Sequence, residues 1–465
     1  MRITILSALL SIPFFSLSQV YSASNFTLVG QSNPELTANS SGNKYSGCWG
    51  WTQPITNKEY AILGSQSGTW FIDITSPSAP VTCTFAVGTS SNATWRELKT
   101  YQNYCYVITD DLGAQGLQIF DLTNLPTSVT KVYESKDLFA RGHACWVDGN
   151  KLYVSGITYS NNTTSSMDIY SLATPTNPVL IRSLKQDYPA ISYVHDMYVR
   201  NDTIFASCGN QGLYVFKLNG SNTLSQLGSL TAYPGSGYNH SSALTPNGQT
   251  LIFTDELPAS LPVKSANVSN LSNITINTTI NQYSLTTPHN PFMLNNQYVV
   301  MSSYLDGMQL YDISNPSSPF VAGYFDTYPQ AGANTGNYSG GAYNGNWGAY
   351  PFYPSKTVFC LDMKNGAFYL KSDLLSLPTS IKNKNQINAI TKLFPNPSST
   401  NINIINNEIK FNKIEVYDNT GKLVHQSLIE LTNKTNFYLD LTKGLYFVKV
   451  YNQTDLITTK ELIIE

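Results

Sequence analysis

Four of the five histidines in this 465-residue chain are His143, His195, His240 and His289, spaced 52, 45 and 49 residues apart. Each opens a phrase of one kind: "HACWVDGNKLYVSG", "HDMYVRNDTIFASC", "HSSALTPNGQTLIFTD" and "HNPFMLNNQYVVMSS". Imidazole is the commonest metal ligand among side chains and titrates near neutral pH. Acidic groups recur in step with it: Asp110 and Asp111 in "VITDDLGAQG", Asp196 beside His195, and Asp255 and Glu256 in "FTDELP". Arg96 and Glu97, in "WRELKTYQNYCYVI", occupy the histidine position of an earlier phrase. Imidazole with carboxylate is a donor set for zinc, copper, iron or manganese. The four histidines are therefore candidate ligands of one transition-metal ion. Arg96, Glu97, Asp110, Asp111, Asp196, Asp255 and Glu256 are candidate ligand-binding groups.

The elements that must position these residues come from a repeat of about fifty residues, and self-similarity at a fixed period decides architecture before any motif does. "SGTWFIDITSPSAP", "QGLQIFDLTNLP", "QGLYVFKLNG" and "DGMQLYDISNPSSP" share a glycine suited to a bend or bulge and an alternating half-buried strand. A proline-containing turn ends the strand in all but the third. Each such strand follows two others joined by a polar turn and precedes a fourth, and four short antiparallel strands make a propeller blade. First strands begin near Cys48, Arg96, His143, His195, His240, His289 and Trp347, which predicts an all-β, seven-bladed propeller. The last unit runs out after three strands; "NFTLVGQS", residues 25 to 32, has the pattern of the missing outer strand and would close the ring. An open β-solenoid is the alternative, though solenoid repeats are usually shorter.

On that plan the histidines begin the innermost strands of four consecutive blades and converge on one mouth of the central channel. Loops after second strands return to the same face, so Asn210 in "CGNQG" and Asp306 in "SYLDG" join the acidic pairs there. A second reading needs no metal. In Trp-Asp-repeat propellers a histidine in the equivalent loop ties one blade's turn to a strand aspartate, and repeats inherit residues from a duplicated ancestor. Against it, the blades at Cys48, Arg96 and Trp347 do without histidine.

At this point the "G-x-x-x-[FY]-D-[IL]-[ST]-x-P" phrases and the "WRELKTYQNYCYVI" segment resemble the LVIVD-repeat, or choice-of-anchor B, proteins, over roughly residues 25 to 370. The resemblance implies a propeller on a bacterial surface. Residues 371 to 392 read as a polar linker. From 393 to 465, alternating strands separated by Asn-Thr-Gly and Lys-Gly turns predict a small Ig-like β-sandwich. Pro395, Asn396 and Pro397, the "YDNTGKLV" hairpin and the "GLYFVKV" strand make this segment similar to the type A C-terminal sorting domain of type IX secretion cargo in Bacteroidetes. That resemblance implies handling by the type IX machinery, export across the outer membrane, and then anchoring or release.

The other end agrees. Arg2 precedes an apolar run over residues 3 to 17 and then small residues, the plan of a secretory signal within residues 1 to 23, cleaved after Ser18, Ser22 or Ala23. That run falls short of the ~20 residues of a bilayer span, and no other stretch approaches it, so the mature chain has no transmembrane segment. Charged residues make up 12 % of the chain with a net charge of −2, leaving no basic footprint for nucleic acid. Six cysteines lack metal-type spacing and admit either buried thiols or bridges. No GxSxG, HExxH, Walker-type or GxGxxG motif is present. The expected function is non-catalytic binding of a glycan, a peptide or another surface protein. The rival is a metal-dependent oxidase or hydrolase with Asp255, Glu256 or Glu97 as base, and a structural envelope component is the third possibility.

Overall fold

A computed structural model describes residues 21–111, 113, 116–280, 287–329, 343–376, 391–406, 410–452 and 455–465. The predicted leader up to residue 20 and linker positions 377–390 lie outside them. The chain divides into two compact units, residues 1–373 and 374–465.

In the first unit every sheet is antiparallel and built from consecutive strands, except where the N-terminus intervenes. The innermost strands are Tyr45–Thr52, Arg96–Tyr101, Ala144–Asp148, Asp196–Arg200, Asn239–Leu244, Pro291–Met293 and Asn346–Tyr350, and they define blades 1 to 7. Each packs beside the next blade's as far as Pro291–Met293; Asn346–Tyr350 packs on Tyr298–Ser302, the second strand of blade 6, and back on Tyr45–Thr52, which closes the ring. The outer strand of blade 7 is Thr27–Ser32, hydrogen-bonded antiparallel to Gly366–Lys371. Ala23–Ser24 adds a further strand to the outer edge of blade 6. Apolar side chains alternate toward neighbouring blades; Tyr106, Ile108, Leu117 and Ile119 of blade 2 interlock with Cys145, Leu152 and Val154 of blade 3. The fold is thus an all-β propeller whose N-terminal strands complete blade 7 and extend blade 6.

The recurring phrase has a structural cause. Asp73, Asp121 and Asp312 end the third strands of their blades. Each accepts, through Oδ1, a hydrogen bond of 2.9 Å from the backbone N–H two residues on, at Thr75, Thr123 and Ser314. This Asx-turn starts the link to the fourth strand. The glycines that open these strands are not themselves the bulges. Gly116 and Gly307 have φ of +78° and +66°, and a Cβ there would lie 2.3 Å from the carbonyl oxygens of Ser135 and Phe325. The bulge sits instead on the fourth strand, where one residue is skipped in all seven blades, as at Val132 between Lys131 and Tyr133. All six cysteines are free thiols, five of them buried, so the bridged alternative does not hold.

The second unit is a sandwich. One sheet holds Thr391–Phe394, Asn401–Asn406 and Lys434–Tyr438; the other holds Phe411–Asp418, Leu423–Thr432, Gly444–Asn452 and Asp455–Ile464. Ile402, Ile404, Phe411, Ile414, Val448 and Leu462 share its core. Asn396, between its two prolines, donates to Glu461 O at 2.8 Å and accepts from Ile463 N at 2.9 Å, so the motif clips the last strand. Among the described residues, no helix is long and apolar enough to cross a membrane.

Candidate functional site

The four histidines form one arc around a channel mouth. Ring centroids lie 4.2 Å apart from His143 to His195, 4.3 Å from His195 to His240 and 4.4 Å from His240 to His289. Trp347 continues the arc 4.6 Å beyond His289, with Trp95 4.8 Å further. The arrangement follows from one residue per blade at the same register, each blade rotated from the last.

Backbone geometry orients the rings. His195 Nδ1 faces the carbonyl of His240 at 3.3 Å, and His289 Nδ1 faces that of Trp347 at 2.6 Å. A carbonyl only accepts, so Nδ1 of both carries the proton and Nε2 the lone pair. His143 Nδ1 meets a carboxylate, Asp110 Oδ2, at 2.8 Å. His240 breaks the pattern: the next carbonyl, of His289, already accepts from Ser241 Oγ at 2.6 Å and Thr254 Oγ1 at 2.8 Å. Its buried Nδ1 makes no hydrogen bond of good geometry, although the nearby His289 carbonyl still favours the protonated ring. Burial, reinforced by neighbouring imidazoles, holds His195 well below the ordinary histidine range and brings His240 and His289 down to about 3. These three rings are neutral at neutral pH.

Inside the mouth lies a cavity of about 150 Å³ lined by all four histidines, Glu97, Lys99, Asp196, Glu256 and Trp146. Lys99 Nζ pairs with Glu97 and sits 4.3 Å above the Trp49 ring, which contacts Trp146 edge to face. Desolvation acts against the Lys99 charge, but Glu97 and the other nearby acids outweigh it and raise its pKa. Burial lifts Asp196 to about 6, with Lys99 opposing. Glu256 Oε1 accepts from the Tyr304 hydroxyl at 2.9 Å, while its Oε2 stands 3.8 Å from His240 Nε2. Buried Tyr304 is raised well above the ordinary tyrosine value, first by desolvation and then by Glu256, so it remains a donor.

The structure places the other candidates elsewhere. Asp255 is wholly buried in blade 5, 2.6 Å from Lys264 Nζ and accepting from the Tyr233 hydroxyl at 2.7 Å; it lines no part of the cavity. Asp111 accepts from the backbone N–H groups of Thr94 and Trp95 and from the Thr109 hydroxyl, which staples a loop. Arg96 borders the cavity, but its guanidinium turns away to the carbonyls of Ser65 and Ser90, and burial lowers it to about 10. Asp110 supports His143 from behind. Lys99, Trp49, Trp146 and Tyr304 escaped the sequence reading. Lys99 was within reach, since an inner strand alternates and the residue two beyond Glu97 faces the same way.

Residues 392–465 match the family model described as the secretion system C-terminal sorting domain. This segment indicates export to the cell surface or the extracellular space. No curated protein matches the chain. Two solved structures resemble it. One, titled as the structural and functional probing of PorZ, is an essential bacterial surface component of the type-IX secretion system of Porphyromonas gingivalis. It is 11 % identical with a TM-score of 0.48, and the match covers 93 % of this chain and 61 % of that one. The other, the N-terminal domain of Nup159, is 11 % identical with a TM-score of 0.48, covering 74 % of this chain and 94 % of that one.

Proposed function

We propose, from the premise that a chain ending in a secretion sorting domain is delivered outside the cell, that its propeller is a non-catalytic binding protein. It takes a small polar ligand, a sugar residue or a peptide side chain, end-on into the histidine-lined mouth. One observation carries the reading: a single cavity of about 150 Å³ at the channel mouth is walled by four imidazoles, Glu97, Lys99, Asp196 and Glu256 beside aromatic rings. Convergent polar groups in one concave, partly apolar cavity are the usual make-up of a small-ligand site. The aromatic walls supplied by Trp95, Trp347 and Tyr343 suit the apolar face of such a guest.

The repeat phrases, with their shared Asx-turns, support placing residues 24–370 with the LVIVD-repeat propellers. A leader cleaved after Ser18 or Ser22 leaves Ala23–Ser24 on blade 6; the linker runs between the strands that end at Lys371 and begin at Thr391, and the tail beyond it is the segment handled by the type IX machinery. A thermal-shift panel of mono- and oligosaccharides, amino acids and short peptides tests the binding reading on wild type and His195→Ala. At least one compound should raise the wild-type midpoint and leave that of the variant unmoved. A panel with no effect on either protein, or an equal effect on both, contradicts it.

A further inference from the structure

His195, His240 and Glu256 each offer one donor atom, and the three atoms lie within 4.8 Å of one another. Two ligands bound to one ion at ~2.1 Å stand roughly 3–4 Å apart, so the trio needs to close by less than about an ångström. The His240–Glu256 pair already meets that spacing. At 3.8 Å, Nε2 and Oε2 are too far apart to hydrogen-bond, yet both side chains are nearly buried, 4 % and 10 % exposed. An imidazole and a carboxylate held at that separation, out of water, leave room for an ion between them.

The surroundings fit the same occupant. His195 spends Nδ1 on a carbonyl and presents Nε2, while Tyr304 holds the far oxygen of Glu256. Such outer partners fix the aim of metal ligands. Charge points the same way: three carboxylates, Glu97, Asp196 and Glu256, share the cavity with a single ammonium, Lys99, and a cation at the mouth offsets the excess.

We infer that His195, His240 and Glu256 bind one divalent transition-metal ion of the zinc or iron(II) type, its remaining positions open to the cavity. Two imidazoles and a carboxylate are a donor set for those ions. His143 and His289 flank the trio and sit outside it. The inference deepens the binding reading, because an open position gives a ligand oxygen something to coordinate.

The test is a cobalt(II) titration of the chelator-treated full chain, followed by visible ligand-field absorption. Wild type should bind one equivalent. Glu256→Gln and His240→Ala should weaken binding at least about 100-fold, and Tyr304→Phe about tenfold as a positioning change, all with unchanged circular dichroism. Natively folded wild type that takes up no cobalt, or ligand variants that bind it as tightly as wild type, overturns the assignment. The panel on chelated protein separates the two claims. A compound that still binds and still needs His195, in a protein without affinity for cobalt, sinks the metal and spares the binding reading. Tight cobalt binding with no responding compound does the reverse.

Discussion

Asp255 and Glu256 are neighbours in the chain, and the propeller uses them for opposite purposes. Asp255 ends the second strand of blade 5 with its carboxylate against Lys264, both fully buried. One residue later Glu256 leaves the strand for the channel mouth, where one oxygen meets Tyr304 and the other stands short of His240. The outer turns resemble the Asp255 side of this boundary: Asp73, Asp121 and Asp312 recur from blade to blade, and each accepts from its own turn, Asp312 from Gln297 as well. The histidines recur just as regularly, yet those at the mouth keep ring nitrogens unspent. Recurrence therefore does not separate scaffold from site; what each side chain meets, a paired charge in a blade or the open cavity, does.

The largest test of that boundary is to cut both sides of it. Lys264→Ala strands the Asp255 carboxylate in the blade interior and should cost about 3–5 kcal/mol, whereas Glu256→Gln should stay within about 1 kcal/mol. Denaturant unfolding of the propeller measures both, and equal losses would erase the distinction.

Blade 7 sharpens it. Asp362 ends the second strand there, as Asp255 does in blade 5, but among the described residues no lysine forms a salt bridge with it; Thr327 and the N–H groups of Lys364 and Asn365 hold it instead. Burial raises it to about 6 from an ordinary 3.8, those bonds and the Lys364 charge opposing. Its proton is held more tightly in the folded chain, so between about pH 4 and 6 the native state carries more protons than the unfolded one, and stability falls as pH rises. Asp362→Asn should remove that loss, gaining up to about 3 kcal/mol above pH 6 and nothing below pH 4. Melting curves across pH that run parallel for variant and wild type would refute this. Smaller again is Asp121→Ala, which deletes only the bonds from the Thr123 N–H and hydroxyl of its own turn and should cost about 1 kcal/mol without touching the cavity; a larger loss in chemical denaturation would mean that the outer turns do more than start a strand.

Much of this was legible beforehand. Glycine, alternating strand, aspartate and proline at a fifty-residue period sufficed for the propeller, because each is a local demand of strand or turn. The arc of histidines followed from register alone. What stayed hidden was direction. That Asp255 rather than Glu256 meets a lysine depends on the pairing of Phe253 with Lys264 across two strands. That Arg96 turns outward depends on carbonyls at Ser65 and Ser90. Neither Asp111 nor Asp110 announces which will staple a loop and which will back a histidine. These are tertiary facts that residue spacing does not contain.

His195 is where the central claim is most exposed, since it is half-buried, sits mid-arc and makes one long hydrogen bond of 3.3 Å. The measurement is the unfolding free energy of His195→Ala against wild type in metal-free buffer. A side chain committed to binding should be missed by no more than about 1 kcal/mol, with the melting profile otherwise unchanged. A loss of about 3 kcal/mol or more would mean that the histidines tie blades together, and that the mouth of this propeller is scaffold.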